Sequence, residues 1–452
     1  MKKNLFHVMF ANVISLVVGV ITSFLLPKYL SIETYANIKT YTFYITYAGF
    51  FSLGYNDGMY LKYGGKEITK IGARDIGDNF FNYCILEILI TILFLAYGIS
   101  THNMIISAFS IGMFSTNIIG YIKSLYQATG EFLLYSSALN IEKIVLFICN
   151  MMLLIFLKKQ EFFYYIWIQI LVGGGIAIWL IYLLQKKIHF IFKGHFCKSE
   201  YIYNIKNGFI LMMGNFSSSV FTGIDRWFVK LIMSSVAFAM YSFAVSIENI
   251  INVFITPITI SLYNYFCKDI NIEWIIRIKK NILILGLFII SAAFPVKFIL
   301  ERFLPEYMNA SVVIFVLFAA QVFHLIIKGI YVNIYKAKQN QCKYLKQMLK
   351  MTVISVILNF IFFIISHSMI SIALATLCTS IIWLFICEQE SLDLRYNYNE
   401  ILTLLISISV YLICGFFFNS ILGFIMYLLV LIFTLFIFMK ETTIIAIGSL
   451  IK

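Results

Sequence analysis

The residues of this chain that could do chemistry are ionisable side chains inside long apolar segments. Glu248 stands near the middle of one such segment with Asn249 beside it, and the adjacent Asp225 and Arg226 lie near the end of the segment before. An ionisable group at membrane depth costs roughly 2.5–3.5 kcal/mol on insertion scales, so the groups found there are candidates for binding or ion coupling. A neutral acid hydrogen-bonded to a neighbouring helix is the alternative for Glu248, and a local ion pair is the alternative for Asp225 and Arg226.

Three lysines, Lys123, Lys143 and Lys328, lie within a turn or two of one end of their apolar segments. An ammonium group at the mouth of a cavity is suited to hold an anionic lipid headgroup. Lysine can also extend its flexible stem to the headgroup region without any functional role. Both interpretations remain open for these three residues.

Four further polar residues are candidates for ion coupling or for the lining of a cavity. Asp57 lies near the end of the second apolar segment and Glu87 about two turns into the third, where either could carry a proton or pair with a lysine. Asn12 and Asn215 belong to polar stripes at helical spacing in the first and seventh segments. We expect both asparagines to face a cavity.

Motifs for metal or cofactor chemistry are not found in the sequence. The eight cysteines form no CxxC pair and the six histidines are dispersed, so a metal site is not predicted. A Walker loop, a nucleophile elbow and a dinucleotide fingerprint are also missing. The sequence therefore predicts no cofactor and no enzyme, and any energy must come from ion gradients, substrate flux or downstream consumption.

Composition identifies the elements that must position these residues. Of 452 residues, 61% are hydrophobic and 12% are charged, and the mean hydropathy is +0.91, which excludes a soluble globular protein. With roughly 20 residues for each crossing, the apolar runs predict about 14 transmembrane helices. The predicted spans are residues 5–26, 38–60, 79–99, 104–126, 138–157, 163–184, 207–229, 236–265, 282–301, 310–333, 351–368, 370–387, 401–418 and 420–439.

The distribution of lysine and arginine predicts the orientation. With both termini in the cytoplasm, these residues favour the inner side roughly three to one, as the positive-inside rule requires. The net charge of +13 is then a topological signal and requires no nucleic-acid partner. The outer connections are short, which argues against a membrane polymerase with a large external loop.

Two internal alignments at nearly the same shift predict a repeat. Gly120–Ala128 matches Gly329–Ala337, and the stripe that begins at Asn12 matches the stripe that begins at Asn215. Six spans separate the partners in both cases, so the repeat is parallel. The prediction is two pseudo-symmetric six-helix lobes around a central cavity, residues 1–190 and 191–390, with two additional helices in residues 391–452.

Several stretches resemble the bacterial polysaccharide-repeat exporters, the O-antigen and capsule flippases of Wzx type. One runs from Leu25-Leu26-Pro27 to Tyr35, and a second is Ser52-Leu53-Gly54-Tyr55-Asn56-Asp57-Gly58. Asp225-Arg226 followed by Tyr241-Ser242-Phe243-Ala244 is similar to the family's stretch between spans seven and eight, and Tyr126–Gly130 resembles its loop after span four. In order and spacing, the resemblance covers essentially the whole chain.

The resemblance implies a flippase that moves a polyprenyl-pyrophosphate-linked oligosaccharide across the bacterial plasma membrane by alternating access. It also implies possible partners, the polysaccharide polymerase and the chain-length machinery, in addition to membrane lipid. The family's cavity is cationic, whereas this chain has few lysines or arginines at mid-membrane depth. A cation-coupled multidrug exporter of the same superfamily is the first alternative, supported by the acidic candidates, and an integral-membrane polymerase or a scaffold for the export machinery are the others.

Overall fold

The computed structural model describes residues 18–188, 194–266, 272–338 and 340–440, and all regular structure in these ranges is helical. Apolar runs of this length form helices because a helix satisfies its backbone N–H and C=O groups internally, which hydrocarbon cannot do for them. The prediction of an all-α polytopic fold is confirmed.

The chain divides into two compact units, Met1–Ser219 and Val220–Lys452. The division falls within α8, which therefore contributes to both units. Lobe boundaries at residues 190 and 390 stay predictions. The first unit contains α1 (Val18–Tyr29), α2 (Ile32–Ile45), α3 (Tyr55–Tyr63), α4 (Ala73–Ser100), α5 (Met104–Ala128), α6 (Phe132–Met151), α7 (Phe162–Ile188) and the first part of α8 (Lys198–Ile232).

The second unit begins in α8 and includes a helix that changes its winding in mid-course. A π-helical segment, Ile327–Val332, joins α12 to α13 without a break in the chain of helical residues. The elements of this unit are α9 (Ser235–Phe266), α10 (Ile272–Ile290), α11 (Ala293–Phe303), α12 (Met308–Ile326), α13 (Asn333–Ala337), α14 (Gln341–Ser366), α15 (Met369–Glu390), α16 (Tyr398–Phe417) and α17 (Ser420–Phe438).

Nine helical stretches of the described chain are long and apolar enough to cross a membrane. Large apolar side chains such as Leu93, Ile365 and Phe433 are exposed on them, and a surface of that kind is stable only when lipid covers it. The chain is thus a multi-pass membrane protein. The number of about 14 spans and the cytoplasmic location of the termini stay predictions.

Two of the predicted spans are interrupted in the structure. The span at 38–60 is divided where Leu53 and Gly54 take left-handed backbone conformations, with φ of 53° and 82°; a helix cannot continue through them. The span at 282–301 is interrupted by a turn at residues 291–292, between α10 and α11. Pro295 contributes to the break, because it has no N–H to donate to the carbonyl of Ser291, which instead accepts from the N–H of Phe294 at 3.1 Å.

Each unit has one central helix that its neighbours surround. In the first unit α5 packs against α2, α3, α4, α6 and α7, and in the second α12 packs against α9, α10, α11, α15 and α16. Nearly every residue of α12 is buried, which matches a sequence that is apolar on all sides. The internal alignment of Gly120–Ala128 with Gly329–Ala337 pairs the end of α5 with the π-helical segment and α13 that continue α12.

Two lysines of the second unit are buried and hold helix ends together. Lys279 Nζ donates to Glu388 Oε1 at 2.7 Å, and Lys297 Nζ donates to the carbonyl oxygens of Gly415 and Phe418 at 2.7 and 2.6 Å. A buried ammonium group in this setting is stabilised because it donates to two protein oxygen atoms. We therefore assign these two lysines to structural support and not to binding.

Candidate functional site

A polar cavity of about 270 Å³ lies within the second unit. Five elements supply its walls, namely α8, α9, the α12 helix with its π-helical continuation, α14 and α15. Both acids and both cations that the sequence singled out in this half of the chain line it. The lining residues are Phe221, Thr222, Ile224, Asp225, Arg226, Val245, Glu248, Asn249, Asn252, Gln321, His324, Lys328, Ser355, Thr376 and Thr379.

The central helix places one polar stripe along this cavity. Gln321, His324 and Lys328 follow one another at intervals of three and four residues, which puts them on one helical face. Lys328 belongs to the π-helical segment, where one extra residue per turn leaves a backbone carbonyl without its usual partner. Asn333 Nδ2 donates to the carbonyl oxygens of Gly329 and Thr259, at 3.1 and 2.7 Å, and so stabilises the segment that carries Lys328.

Lys328 differs from the buried lysines of this unit in having no ion-pair or hydrogen-bond partner among the described residues. Its ammonium group interacts electrostatically with Glu248 without a contact ion pair. A cation that is partly exposed to a cavity and not bonded to protein acceptors is available to an anionic ligand. That combination distinguishes Lys328 from Lys279 and Lys297.

Glu248 hydrogen-bonds to the stripe on the central helix. Gln321 donates through Nε2 to Glu248 Oε1, and Gln321 is itself buried. One turn further along α9, Asn252 Nδ2 donates to Asn249 Oδ1 at 3.1 Å. The amides and the acid form a row of donors and acceptors of the kind that binds hydroxyl groups or a coordinated cation.

Asp225 is held by α9 and is not simply paired with its neighbour in sequence. Tyr241 donates its hydroxyl to Asp225 Oδ2 at 2.8 Å, and the backbone N–H of Arg226 donates to Oδ1 at 2.7 Å. Asp225 is 6% exposed. The structure thus connects, through one hydrogen bond, the two motif residues on which the family resemblance rested between spans seven and eight.

Aromatic rings close one side of the cavity. The rings of Phe221 and Trp383 meet edge to face at 5.0 Å between centroids, and His324 lies 6.1 Å from Trp383 and 6.5 Å from Phe221. Edge-to-face packing at these distances is favourable and fixes the orientation of the rings. The histidine is therefore packed against these two rings while it also lines the cavity.

The charges that line the cavity balance. Asp225 and Glu248 oppose Arg226 and Lys328, and Glu248 interacts electrostatically with all three. Such a site has cations for a phosphate or carboxylate, and acids and amides for hydroxyl or amino groups. These groups are suited to bind a charged, hydroxylated headgroup.

The candidates of the first unit do not converge on one cavity. Glu87 is fully buried, and its Oε2 accepts a hydrogen bond from Asn117 Nδ2 at 2.8 Å. Lys123 forms an ion pair with Glu142 at 3.2 Å, and Lys143 on the next helix is exposed. Elsewhere in the unit, Asn215 Nδ2 donates to Asp57 Oδ1 at 3.2 Å.

Asn12 lies outside the described residues. The remaining candidates of the first unit are thus bonded within the protein, apart from Lys143. The contacts of Lys123 with Glu142 and of Asn215 with Asp57 join α5 to α6 and α8 to α3.

Sequence reasoning missed several residues of the cavity wall. Gln321 and His324 form a stripe with Lys328 at helical spacing on an otherwise apolar helix, and that spacing is visible in the sequence. No such signal marks Thr376 and Thr379, because threonine is common in membrane helices. Tyr241 was named only as part of a motif, and its hydrogen bond to Asp225 was not predicted.

Fold and site together define an all-α, polytopic membrane protein with a polar cavity in its second unit. The chain is similar to a solved structure of the lipid II flippase MurJ in an inward closed conformation, with a TM-score of 0.67, 15% identity, and coverage of 96% of this chain and 99% of that one. It is also similar to an inward-facing multidrug resistance MATE transporter, with a TM-score of 0.56, 13% identity, and coverage of 85% and 95%. At these identities the likeness concerns the fold.

No protein-family model matches the sequence, and no curated protein matches it.

Proposed function

We propose that this chain is a flippase that moves a polyprenyl-pyrophosphate-linked oligosaccharide from the cytoplasmic to the outer leaflet of the bacterial plasma membrane. The similarity of fold to a lipid II flippase over 96% of the chain supports a lipid-linked substrate. The resemblance of its motifs to polysaccharide-repeat exporters supports an oligosaccharide for O-antigen, capsule or exopolysaccharide synthesis.

Lys328 is the observation that carries the proposal. An ammonium group without a protein acceptor, in a cavity that also holds Arg226 and several amides, is suited to a phosphate joined to a sugar. Alternating access then needs the cavity to open to each side in turn. Polymerase and chain-length proteins would act on the product and are the partners we propose.

Deletion of the gene in its native host tests this function, with lipid-linked oligosaccharide measured in each leaflet. We expect complete repeat units to accumulate on the inner leaflet and surface polysaccharide to fall. Complementation by the wild-type gene should reverse both effects. Repeat units that reach the outer leaflet and remain unpolymerised there would instead indicate a polymerase.

The same deletion strain tests the residue. Lys328→Ala should leave most repeat units on the inner leaflet, because the cavity loses its available cation, while Lys328→Arg should restore part of the transport. Lys350→Ala is the matched control, since Lys350 is an exposed lysine on α14 of the same unit. Equal transport by Lys328→Ala and Lys350→Ala would remove Lys328 from the mechanism.

A cation-coupled multidrug exporter is the second candidate. The presence of Asp225 and Glu248 in the same cavity favours it, because an exporter of that class exchanges its substrate for a cation held by acids. In this case deletion would lower drug tolerance and leave surface polysaccharide and lipid-linked oligosaccharide unchanged.

A further inference from the structure

The first unit contains an apolar groove that the proposed transport does not use. Its volume is about 470 Å³, and it lies between α4, α5 and α7. Its walls are Phe80, Phe81, Cys84, Phe114, Ser115, Ile118, Gly174, Ala177, Ile178 and Ile181. We propose that this groove is a binding site for an anionic phospholipid, with an acyl chain in the groove and the phosphate near Arg74 and Lys186.

The chemistry of the walls selects hydrocarbon as the occupant. Ser115 supplies the hydroxyl of the lining, and this hydroxyl already donates to the carbonyl oxygen of Gly112 at 3.0 Å. Water needs two to four polar partners to remain in a cavity, and these walls do not offer them. Ile178 and Phe81 are 70% and 41% exposed, so the groove opens on the apolar surface of the unit.

Small residues make the groove deep enough for a chain. Gly174 lines it, and a Cβ atom built on Gly174 would meet no atom within 4 Å. The adjacent Gly173 lies against Ser115, where a Cβ would come within 3.1 Å of the hydroxyl oxygen. Gly173 therefore allows α7 to approach α5, and Gly174 leaves open space in the groove.

An apolar groove alone would not select one lipid from the bilayer, because acyl chains already lie in hydrocarbon there and gain no hydrophobic free energy by entering. Selection needs a contact with the headgroup. Arg74 stands on the same face of α4 as Phe81, about two turns toward the helix start. Its side chain is 75% exposed, and its Nε lies 3.8 Å from Asp78 Oδ2.

The second cation is Lys186, in the last turn of α7, about five residues or 7.5 Å of helix rise beyond Ile181. It lies about 140° around the helix from Ile181, so its flexible stem must bring the ammonium group to the headgroup level. It is exposed and has no ion-pair partner among the described residues. Of the two acids in the first turns of α4, Asp78 accepts a hydrogen bond from the backbone N–H of His195 at 2.7 Å, and Asp75 is exposed. The exposed side chains of Arg74 and Lys186 complement the anionic lipids of the cytoplasmic leaflet, where the positive-inside rule locates this end.

Lipid-dependent thermal unfolding of the purified full-length protein in detergent tests the site. Dioleoyl phosphatidylglycerol should raise the unfolding midpoint by several degrees more than dioleoyl phosphatidylcholine does, because only the former can bind through a net negative headgroup. Gly174→Phe fills the groove and should abolish this difference. Gly175→Phe is the matched control: it is on the same helix with open space at its Cβ, and it does not line the groove.

Loss of the charged end should have a different signature. The double variant Arg74→Gln with Lys186→Gln should abolish the difference in unfolding midpoint between the two lipids. Both lipids should still bind to this variant, and native mass spectrometry counts the bound molecules. Ile178→Trp is a second way to fill the groove if Gly174→Phe does not fold. A preserved difference between the lipids in both groove-filling variants overturns the proposal. Displacement of phosphatidylglycerol by undecaprenyl phosphate at equal concentration would assign the groove to a prenyl chain and overturn it equally.

Discussion

Asp225 is a buried acidic residue in the second unit, and Tyr241 is its side-chain hydrogen-bond donor among the described residues. Tyr241 supplies that hydrogen bond from α9 across to α8. A buried acceptor that loses its donor keeps the full cost of its desolvation, whereas a pair that stays intact contributes only a small net amount. Removal of this hydrogen bond should therefore lower stability by more than the net amount that the intact bond contributes.

Tyr241→Phe should lower the free energy of unfolding by about 1–3 kcal/mol, because the ring stays in place while Asp225 loses a donor. Tyr411→Phe is the control. Tyr411 is also fully buried in the second unit, but its hydroxyl has no hydrogen-bond partner among the described residues, so its loss should change stability by less than about 0.5 kcal/mol. Denaturation in detergent, followed by circular dichroism, measures both. Equal effects would show that the bond to Asp225 contributes nothing.

The candidate site could be predicted from the sequence in part. Ionisable groups are so costly in apolar segments that Asp225, Glu248 and Lys328 were visible by residue type alone. Pairing was not visible, because the contact of Lys123 with Glu142 depends on the register between α5 and α6. The burial of Lys279 was also missed, since a lysine beside a predicted loop is normally exposed.

At the scale of elements, apolar runs predicted most of the helices, because length and composition alone determine them. The breaks within them were harder to predict. The left-handed pair Leu53 and Gly54 and the π-helical segment Ile327–Val332 arise from tertiary packing. Apolar sequences carry little information about such deviations, since every position on the helix has similar chemistry.

Close approach of two helices in the first unit depends on glycine. A Cβ at Gly58 would fall on the backbone of Asn204, and a Cβ at Gly208 would fall on the backbone of Gly54 and Gly58. Backbone atoms cannot give way as the end of a flexible side chain does. The crossing of α3 and α8 is therefore a contact of small residues, as is common between membrane helices.

Gly58→Ala should destabilise the protein by about 1–3 kcal/mol or more, since the two helices must separate to admit the methyl group. Gly120→Ala should have the opposite sign. Gly120 lies in the interior of α5 with only the Asn56 amide near its Cβ position, at 3.8 Å, so alanine should stabilise by about 0.5–1 kcal/mol through its better helix propensity. Thermal unfolding in detergent compares the two. A loss of stability in both variants would contradict the packing argument.

The amide of Asn333 donates to two carbonyl groups at the π-helical segment, those of Thr259 and Gly329. Asn333→Leu should lower stability by about 1–3 kcal/mol by removing those donors, and it should also reduce flipping, because Lys328 would lose its position. Tyr335→Phe is the control. It removes a hydrogen bond of 2.9 Å to Glu390 from the same stretch without touching the carbonyls of the segment. Transport that falls equally in both variants would indicate a general effect of instability.

At the scale of the whole molecule, the two units can be compared through the roles of their central helices. In the first unit the polar residues next to α5 bond to one another, as Glu87 does with Asn117. In the second unit the polar stripe of α12 faces a cavity, and Lys328 keeps its charge available. The central helix thus carries internal hydrogen bonds in the first unit and lines a candidate site in the second.

Orientation in the membrane follows from charge, and native and introduced cysteines can test it. The positive-inside rule assigns the basic stretch before α14 to the cytoplasm and the connection between α6 and α7 to the outside. Cys342 is an exposed cysteine at the start of α14, and Lys158 lies in the other connection. An impermeant maleimide should therefore label Cys342 in inverted membrane vesicles and leave it unmodified in intact spheroplasts.

Lys158→Cys, introduced with Cys342→Ser, should show the reverse pattern. Lys158 has a left-handed backbone, with φ of 48°, in the turn that follows α6 and its π-helical continuation, so its side chain is well placed for the reagent. The buried cysteines, Cys387 and Cys414, serve as internal controls because they should react only after denaturation. Labelling of Cys342 from the outside would invert the topology. It would also move Arg74 and Lys186 to the outer leaflet, where the phosphatidylglycerol site would face a different lipid population.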